Sequence, residues 1–195
     1  MKIQEPGKKK ALLLVNMPDS ERQSSSVDLY CDAYGGNSPC DMRLFYDNLT
    51  NFLQMAQKKE VPIFTAGYCK FENLPKEIVP LVDEEKYVQQ AFFDRSTAFC
   101  PIDKRHRKLH ESLQRGGISE LLIGGFERDW NIYFTATHAI DLGYMVATCE
   151  NLLLSANMAN TKGFFERRNF WEKGAVVIPT LDDVLKYAVA GRDLR

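Results

Sequence analysis

Apolar positions along the chain follow two alternating patterns. Short continuous apolar runs occur at Ala11–Val15, Val61–Thr65, Glu120–Gly125, Tyr144–Cys149 and Ala175–Ile178. Runs of this kind predict strands buried on both faces, as in a parallel sheet covered by helices. Tyr87–Phe93 is a further strand candidate, interrupted by Gln89 and Gln90. Between the runs the spacing turns helical. Leu44, Phe45, Leu49, Phe52, Leu53 and Ala56 recur at that spacing within Asp41–Lys59. Asp103–Arg115 predicts a second helix, stopped by Gly116-Gly117. Asp129–Leu142 predicts a third, with Asp129 placed to cap its start and Gly143 where a left-handed residue ends it. Asn157–Lys173 and Leu181–Ala188 continue the alternation. Residues 18–40 are polar and rich in Ser, Gly and Asp, and read as a long loop that serves as a lid, a binding loop or a mobile segment.

Strand and helix alternate throughout, and helical crossovers imply parallel neighbours with right-handed connections. The expected architecture is α/β: a single-domain, three-layer α/β/α sandwich, Rossmann-like, with a six-stranded, mostly parallel sheet. Its core spans about residues 11–188 of the 195. Ligands in such sheets gather at the carboxyl ends of the strands. The segments after Val15, Thr65, Phe93 and Gly125 are therefore the ones to inspect.

Composition narrows the class. Hydrophobic residues make up 45% of the chain, charged residues 26%, and the net charge is −1, which argues against polyanion binding as the main task. No apolar run approaches the roughly 18 residues of a membrane span. The five cysteines (31, 40, 69, 100 and 149) form no CxxC pair and read as reduced thiols of a cytoplasmic protein.

The segments at the expected strand ends bring a family into view. Leu12-Leu-Leu-Val-Asn-Met17 resembles the first-strand motif of the isochorismatase-like cysteine hydrolases, and Val61-Pro-Ile-Phe-Thr65 resembles their second strand. Ser96-Thr-Ala-Phe99 is similar to their Ser-Ala-Phe signature with one residue inserted, and Gly117–Gly125 to the approach to the catalytic turn. Asp129 with Thr135–Tyr144 tracks the nucleophile helix, and Ala175–Leu185 the closing strand and helix. The resemblance implies a thiolate nucleophile at the start of the helix after the fourth strand. It also implies an aspartate base ending the first strand, and a lysine after the third. At those positions this sequence carries Asn131, Asn16 and Phe93 (or Phe92, depending on the inserted residue).

The three replacements change the chemistry. An asparagine amide has no useful basicity near neutral pH. Asn131 offers no thiolate for a thioester, and phenylalanine supplies no cation. Isochorismatase itself dispenses with the cysteine but relies on the aspartate, so that route is lost with it. Metal-using nicotinamidases place an Asp and His pair beyond the second strand, where this chain has Gly67-Tyr-Cys-Lys70, so neither a metal nor another cofactor is expected. The resemblance thus implies a degenerate triad and a non-catalytic protein that binds a small molecule or a protein partner. Candidate ligand-binding residues are Asn16, Phe93, Arg95, Phe126, Glu127, Arg128 and Asn131. The family also implies a homo-oligomer, a dimer or higher, and a cis peptide at Phe126–Glu127. The alternative is a hydrolase of small amides using an unorthodox set such as Asp19, Arg95 and Cys69.

Other conspicuous residues have structural readings. Cys149 reads as a small buried hydrophobe and His138 as a packed or surface residue. Lys104–Lys108 reads as a solvated helix face, so nucleic acid is not an expected partner. Asn48-Leu-Thr50, a formal glycosylation sequon, falls on a predicted helix. Phe164, Phe165, Phe170 and Trp171 read as core.

Overall fold

A computed structural model describes residues 9–17, 39–67, 70–89, 97–99, 107–126, 131–154 and 174–190. Ala11–Val15 forms the body of the central strand β1 (Lys9–Val15), and its residues are buried because both faces are covered. β2 (Ile63–Gly67) pairs with β1 in parallel, running from Leu12↔Ile63 to Val15↔Ala66. Pro62 stands just before β2, where its carbonyl still accepts from Leu12 N–H at 2.9 Å although it has no N–H to give. On the other side β1 pairs with β4 (Ile118–Phe126), ending at Val15↔Gly125. β3 (Tyr87–Gln89), β5 (Met145–Thr148) and β7 (Val176–Val177) extend the sheet to the order β3-β2-β1-β4-β5-β7. Each of these pairings is parallel.

Helices cover both faces. α1 (Pro39–Lys58) and α4 (Leu181–Ala190) lie on one side, where Phe45, Phe52, Leu53, Val184 and Tyr187 pack on Leu12, Leu14 and Leu122. α2 (Arg107–Arg115) and α3 (Tyr133–Asp141) lie on the other, where Leu109, Leu113, Ala136 and Ala139 meet Leu13, Val15, Leu121 and Ile123. Alternate residues of β1 thus feed opposite cores, as the two-residue strand period requires. The fold is the expected three-layer α/β/α arrangement.

Several details differ from the sequence expectation. A seventh strand, β6 (Leu153–Leu154), pairs with the end of β4, adding to the expected six. Two residues are too short for periodicity to register. α1 begins at Pro39 rather than Asp41, since proline's fixed φ and missing N–H suit a first helical turn. Residues 71–86, unassigned from the pattern, contain three short 3-10 turns. α3 starts at Tyr133 after a wider π-type turn at 131–132, and it ends as expected at Gly143, whose φ is +89°. The predicted cap Asp129, most of the 18–40 loop and the 157–173 helix lie outside the described residues.

Candidate functional site

The carboxyl edge of the sheet is shaped first by its backbone. Gly125 has φ +135°, and a side chain there would drive its Cβ onto the Val15 carbonyl oxygen. The ends of β1 and β4 approach this closely because position 125 is glycine. Asn16 follows Val15 directly with φ +53°, in the left-handed region. Asparagine enters that region more readily than most residues with a side chain, so the turn after β1 suits it on conformational grounds alone. Its N–H donates to the Ala66 carbonyl at 2.7 Å, tying the turn to β2.

Three of the sequence candidates fall among the described residues. Asn16 and Phe126, at the ends of β1 and β4, are each 9% exposed, and Asn131, which opens the π-type turn before α3, is 2% exposed. Phe126 packs into the core on the α1/α4 face together with Met17. Phe93, Arg95, Glu127 and Arg128 lie outside the described residues, as do Cys69, Asp19 and the Phe126–Glu127 bond.

Two side chains that the pattern did not single out complete the edge. A Cβ at Gly67 would stand 3.2 Å from the Tyr87 hydroxyl and 3.9 Å from Asn16 Cα, so the Tyr87 phenol reaches over β2 towards the turn. Its ring meets Phe71 edge-to-face, with centroids 5.6 Å apart. The available signal was Gly67 itself, since glycine at the end of an apolar strand marks a close approach. Thr65, which pairs with Leu14 and Tyr87, buries a hydroxyl with no hydrogen-bond partner among the described residues. Such a group ordinarily costs about 1–3 kcal/mol.

Neither Asn16 nor Asn131 ionises, so neither can take a proton as a general base. Among the described residues no group of three His, Cys, Asp or Glu side chains is arranged to hold a metal ion. No described helix is long and apolar enough to cross a membrane.

No family model matches the sequence, and no curated protein matches it. Solved structures do match the fold. An isochorismatase-like hydrolase from Alkaliphilus metalliredigens superposes with a TM-score of 0.64 at 16% identity, covering 92% of this chain and 98% of the other. The chain has the isochorismatase-like hydrolase fold. MAR1 ribonuclease from Caenorhabditis elegans matches with a TM-score of 0.66 at 12% identity, over 96% of this chain and 84% of that one. The YcaC gene product of Escherichia coli, described as an octameric hydrolase of unknown specificity, matches with a TM-score of 0.63 at 16% identity, over 97% and 81%.

Within the isochorismatase-like fold the structural readings of two other residues stand. Cys149 is fully buried in the core on the α1/α4 face. His138 is half-buried on α3, where its ring meets Phe99 edge-on at 5.8 Å and burial lowers its proton affinity. A groove of about 990 Å³ opens elsewhere, at the amino ends of β1 and β2, and is lined by charged side chains including Lys9, Lys59 and Arg115. Lys59 follows the last turn of α1 and Arg115 ends α2, so these cations offset the negative ends of two helices. The groove is at the opposite end of the sheet from the candidate site.

Proposed function

We propose that this protein is a non-catalytic member of the isochorismatase-like group, a pseudohydrolase that binds a small molecule at the carboxyl ends of its strands. The observation that carries this reading is the pair of buried amides. Asn16 ends β1 and Asn131 opens the turn before α3, where the resemblance places the base and the nucleophile. Buried, neutral amides that both donate and accept hydrogen bonds suit ligand recognition. Arg95, Glu127 and Arg128 are the charged residues assigned to the same pocket by their place in the sequence, with Phe93 and Phe126 supplying apolar walls. Self-association is part of the proposal, in keeping with the octamer described for the YcaC gene product.

The test pairs an activity assay with a binding assay on the intact protein. Nicotinamide, isochorismate and N-carbamoyl amino acids should show no hydrolysis above background. Loss of a whole catalytic set leaves only the modest acceleration due to binding and oxyanion contacts. A compound from a metabolite panel that raises Tm should lose that effect in Asn16→Leu and Asn131→Leu. Amidase turnover by the unmodified protein, abolished by Cys69→Ala but untouched by Asn131→Ala, would overturn the proposal in favour of an unorthodox hydrolase.

A further inference from the structure

On the α2/α3 face the chain passing from β3 to α2 is anchored at residues 97–99. Ala98 N–H donates to Thr135 Oγ1 at 2.9 Å in a buried bond, and Ala98 and Phe99 are themselves buried. Phe99 lies between two aromatic partners. His138 meets it edge-on at 5.8 Å, and Tyr144 stacks on it at 5.9 Å with an interplanar angle of 25°. Thr97 Oγ1 accepts the Phe99 N–H at 3.2 Å and stands 3.4 Å from His138 Nδ1, placed to donate its proton to a neutral ring. Behind this group Tyr144 Oη lies 2.9 Å from Nδ1 of His110 on α2.

We propose that His138, Thr97 and Phe99 form an acid-released latch, which fastens residues 97–99 to α3 near neutral pH and frees them on acidification. The inference is independent of any role for the carboxyl-end pocket. Its basis is where a positive charge on His138 would fall. Thr97, Phe99 and Tyr144 offer no anion to an imidazolium, and His110 on α2 repels one. Among the described residues the favourable charge comes from Asp141, on the same helix, and it is outweighed by the burial of the ring. The docked state therefore binds this proton less tightly than an opened state in which the ring is hydrated. For a base held below its ordinary value of about 6.5, docking is at full strength above that pH and weakens as pH falls from there towards the docked-state value.

Site-resolved amide hydrogen exchange on the full chain, corrected for the intrinsic pH dependence of exchange, reads the latch directly. Protection of the Ala98 and Phe99 amides should fall several-fold between pH 7.5 and 5.5. The ceiling is about tenfold, the most that one histidine titrating near 6.5 can contribute over that range. Leu13 and Ile123 amides in the central strands should hold. In His138→Gln, which keeps a polar partner for Thr97, Ala98 should be equally protected at both pH values. Unchanged protection in the unmodified protein, an equal loss in the central strands, or a pH effect that survives His138→Gln would each overturn the latch. Should that variant not fold, an NMR titration of His138 in the unmodified protein decides. A midpoint below 6.5 supports the latch, and one at or above it overturns it.

Discussion

The two ends of the sheet bury polar groups in opposite ways. At the amino end, on the α1/α4 face, Lys10 and Glu120 are paired in register across β1 and β4, and their side chains are each 5% exposed. The ammonium lies 3.2 Å from Glu120 Oε2, donates to the Tyr187 carbonyl at 3.0 Å and sits 3.5 Å above the Tyr187 ring centroid. Tyr187 Oη donates to the same carboxylate at 2.9 Å. At the carboxyl end, where the proposed ligand site lies, the buried polar side chains on the described strand ends and the turn before α3 are amides and hydroxyls. The buried full charges at the amino end meet one another and Tyr187, whereas the buried polar groups at the carboxyl end are neutral. A buried charge pair is costly to desolvate and is retained only when well satisfied, so the amino end reads as a structural fastening of α4 to the sheet.

The carboxyl end depends on backbone geometry rather than on charge, and Gly125→Ala is the strongest way to break it. The added Cβ meets the Val15 carbonyl in a conformation that alanine resists. The expected loss exceeds about 4 kcal/mol, or the protein fails to accumulate in soluble form. Urea unfolding gives the answer, and a loss under about 1 kcal/mol would mean that the two strand ends can part at little cost.

The amino end should break differently. Lys10→Met leaves Glu120 buried and uncompensated, for an expected loss of about 3–5 kcal/mol. Replacing both partners (Lys10→Met with Glu120→Leu) should recover more than half of that, because two apolar side chains demand no solvation. A double variant as unstable as the single one would show that Tyr187 depends on the carboxylate more than the geometry implies.

How far this contrast was legible in the sequence differs between the two ends. The central strands and the four described helices follow from apolar runs and helical spacing, because burial on both faces leaves a pattern that few other structures produce. At the carboxyl end the motif resemblance marks positions 16 and 131, and the sequence itself shows that both carry neutral amides. The role of Gly125 as a point of close backbone approach needed coordinates. So did the charged amino end. Lys10 closes the basic run Lys8–Lys10, and Glu120 opens an apolar run as a single polar residue. The latent signal was that lone acid beside Leu121-Leu-Ile123, but nothing local names Lys10 or Tyr187 as its partners across 110 and 67 residues of chain. The 3-10 turns at 71–86 stayed unread because a three-residue turn is too short to carry a period.

A sharper question is whether the carboxyl end could still carry charge. The combined change Asn16→Asp, Phe93→Lys and Asn131→Cys should yield a thiol alkylated about tenfold faster at pH 7 than in Asn131→Cys alone, through a lowered thiol pKa. That ratio corresponds to about 1.4 kcal/mol of preference for the thiolate. Equal rates would show that the edge does not support an ionised nucleophile even with an acid at position 16 and a cation at position 93.

The smallest effect concerns the helix that joins the two ends. α4 starts just after β7 and runs back to deliver Tyr187 to the Lys10–Glu120 pair. Its first turn is held by Thr180, whose Oγ1 accepts from Asp183 N–H at 3.2 Å and donates to Asp183 Oδ2 at 2.7 Å. Thr180→Ala should therefore cost about 1 kcal/mol in urea unfolding, with an unchanged m-value, as loss of a helix cap does. The same hydroxyl, followed by Lys186, holds the Asp183 carboxyl below its ordinary value. A depressed carboxylate contributes stability that is present above the unfolded-state pKa and is lost as pH falls through the folded value. Removing the hydroxyl takes away part of that depression, so the difference between Thr180→Ala and the unmodified protein should shrink below about pH 4. A difference that stays constant from pH 7 to pH 3 would mean that the cap acts through the Asp183 amide alone.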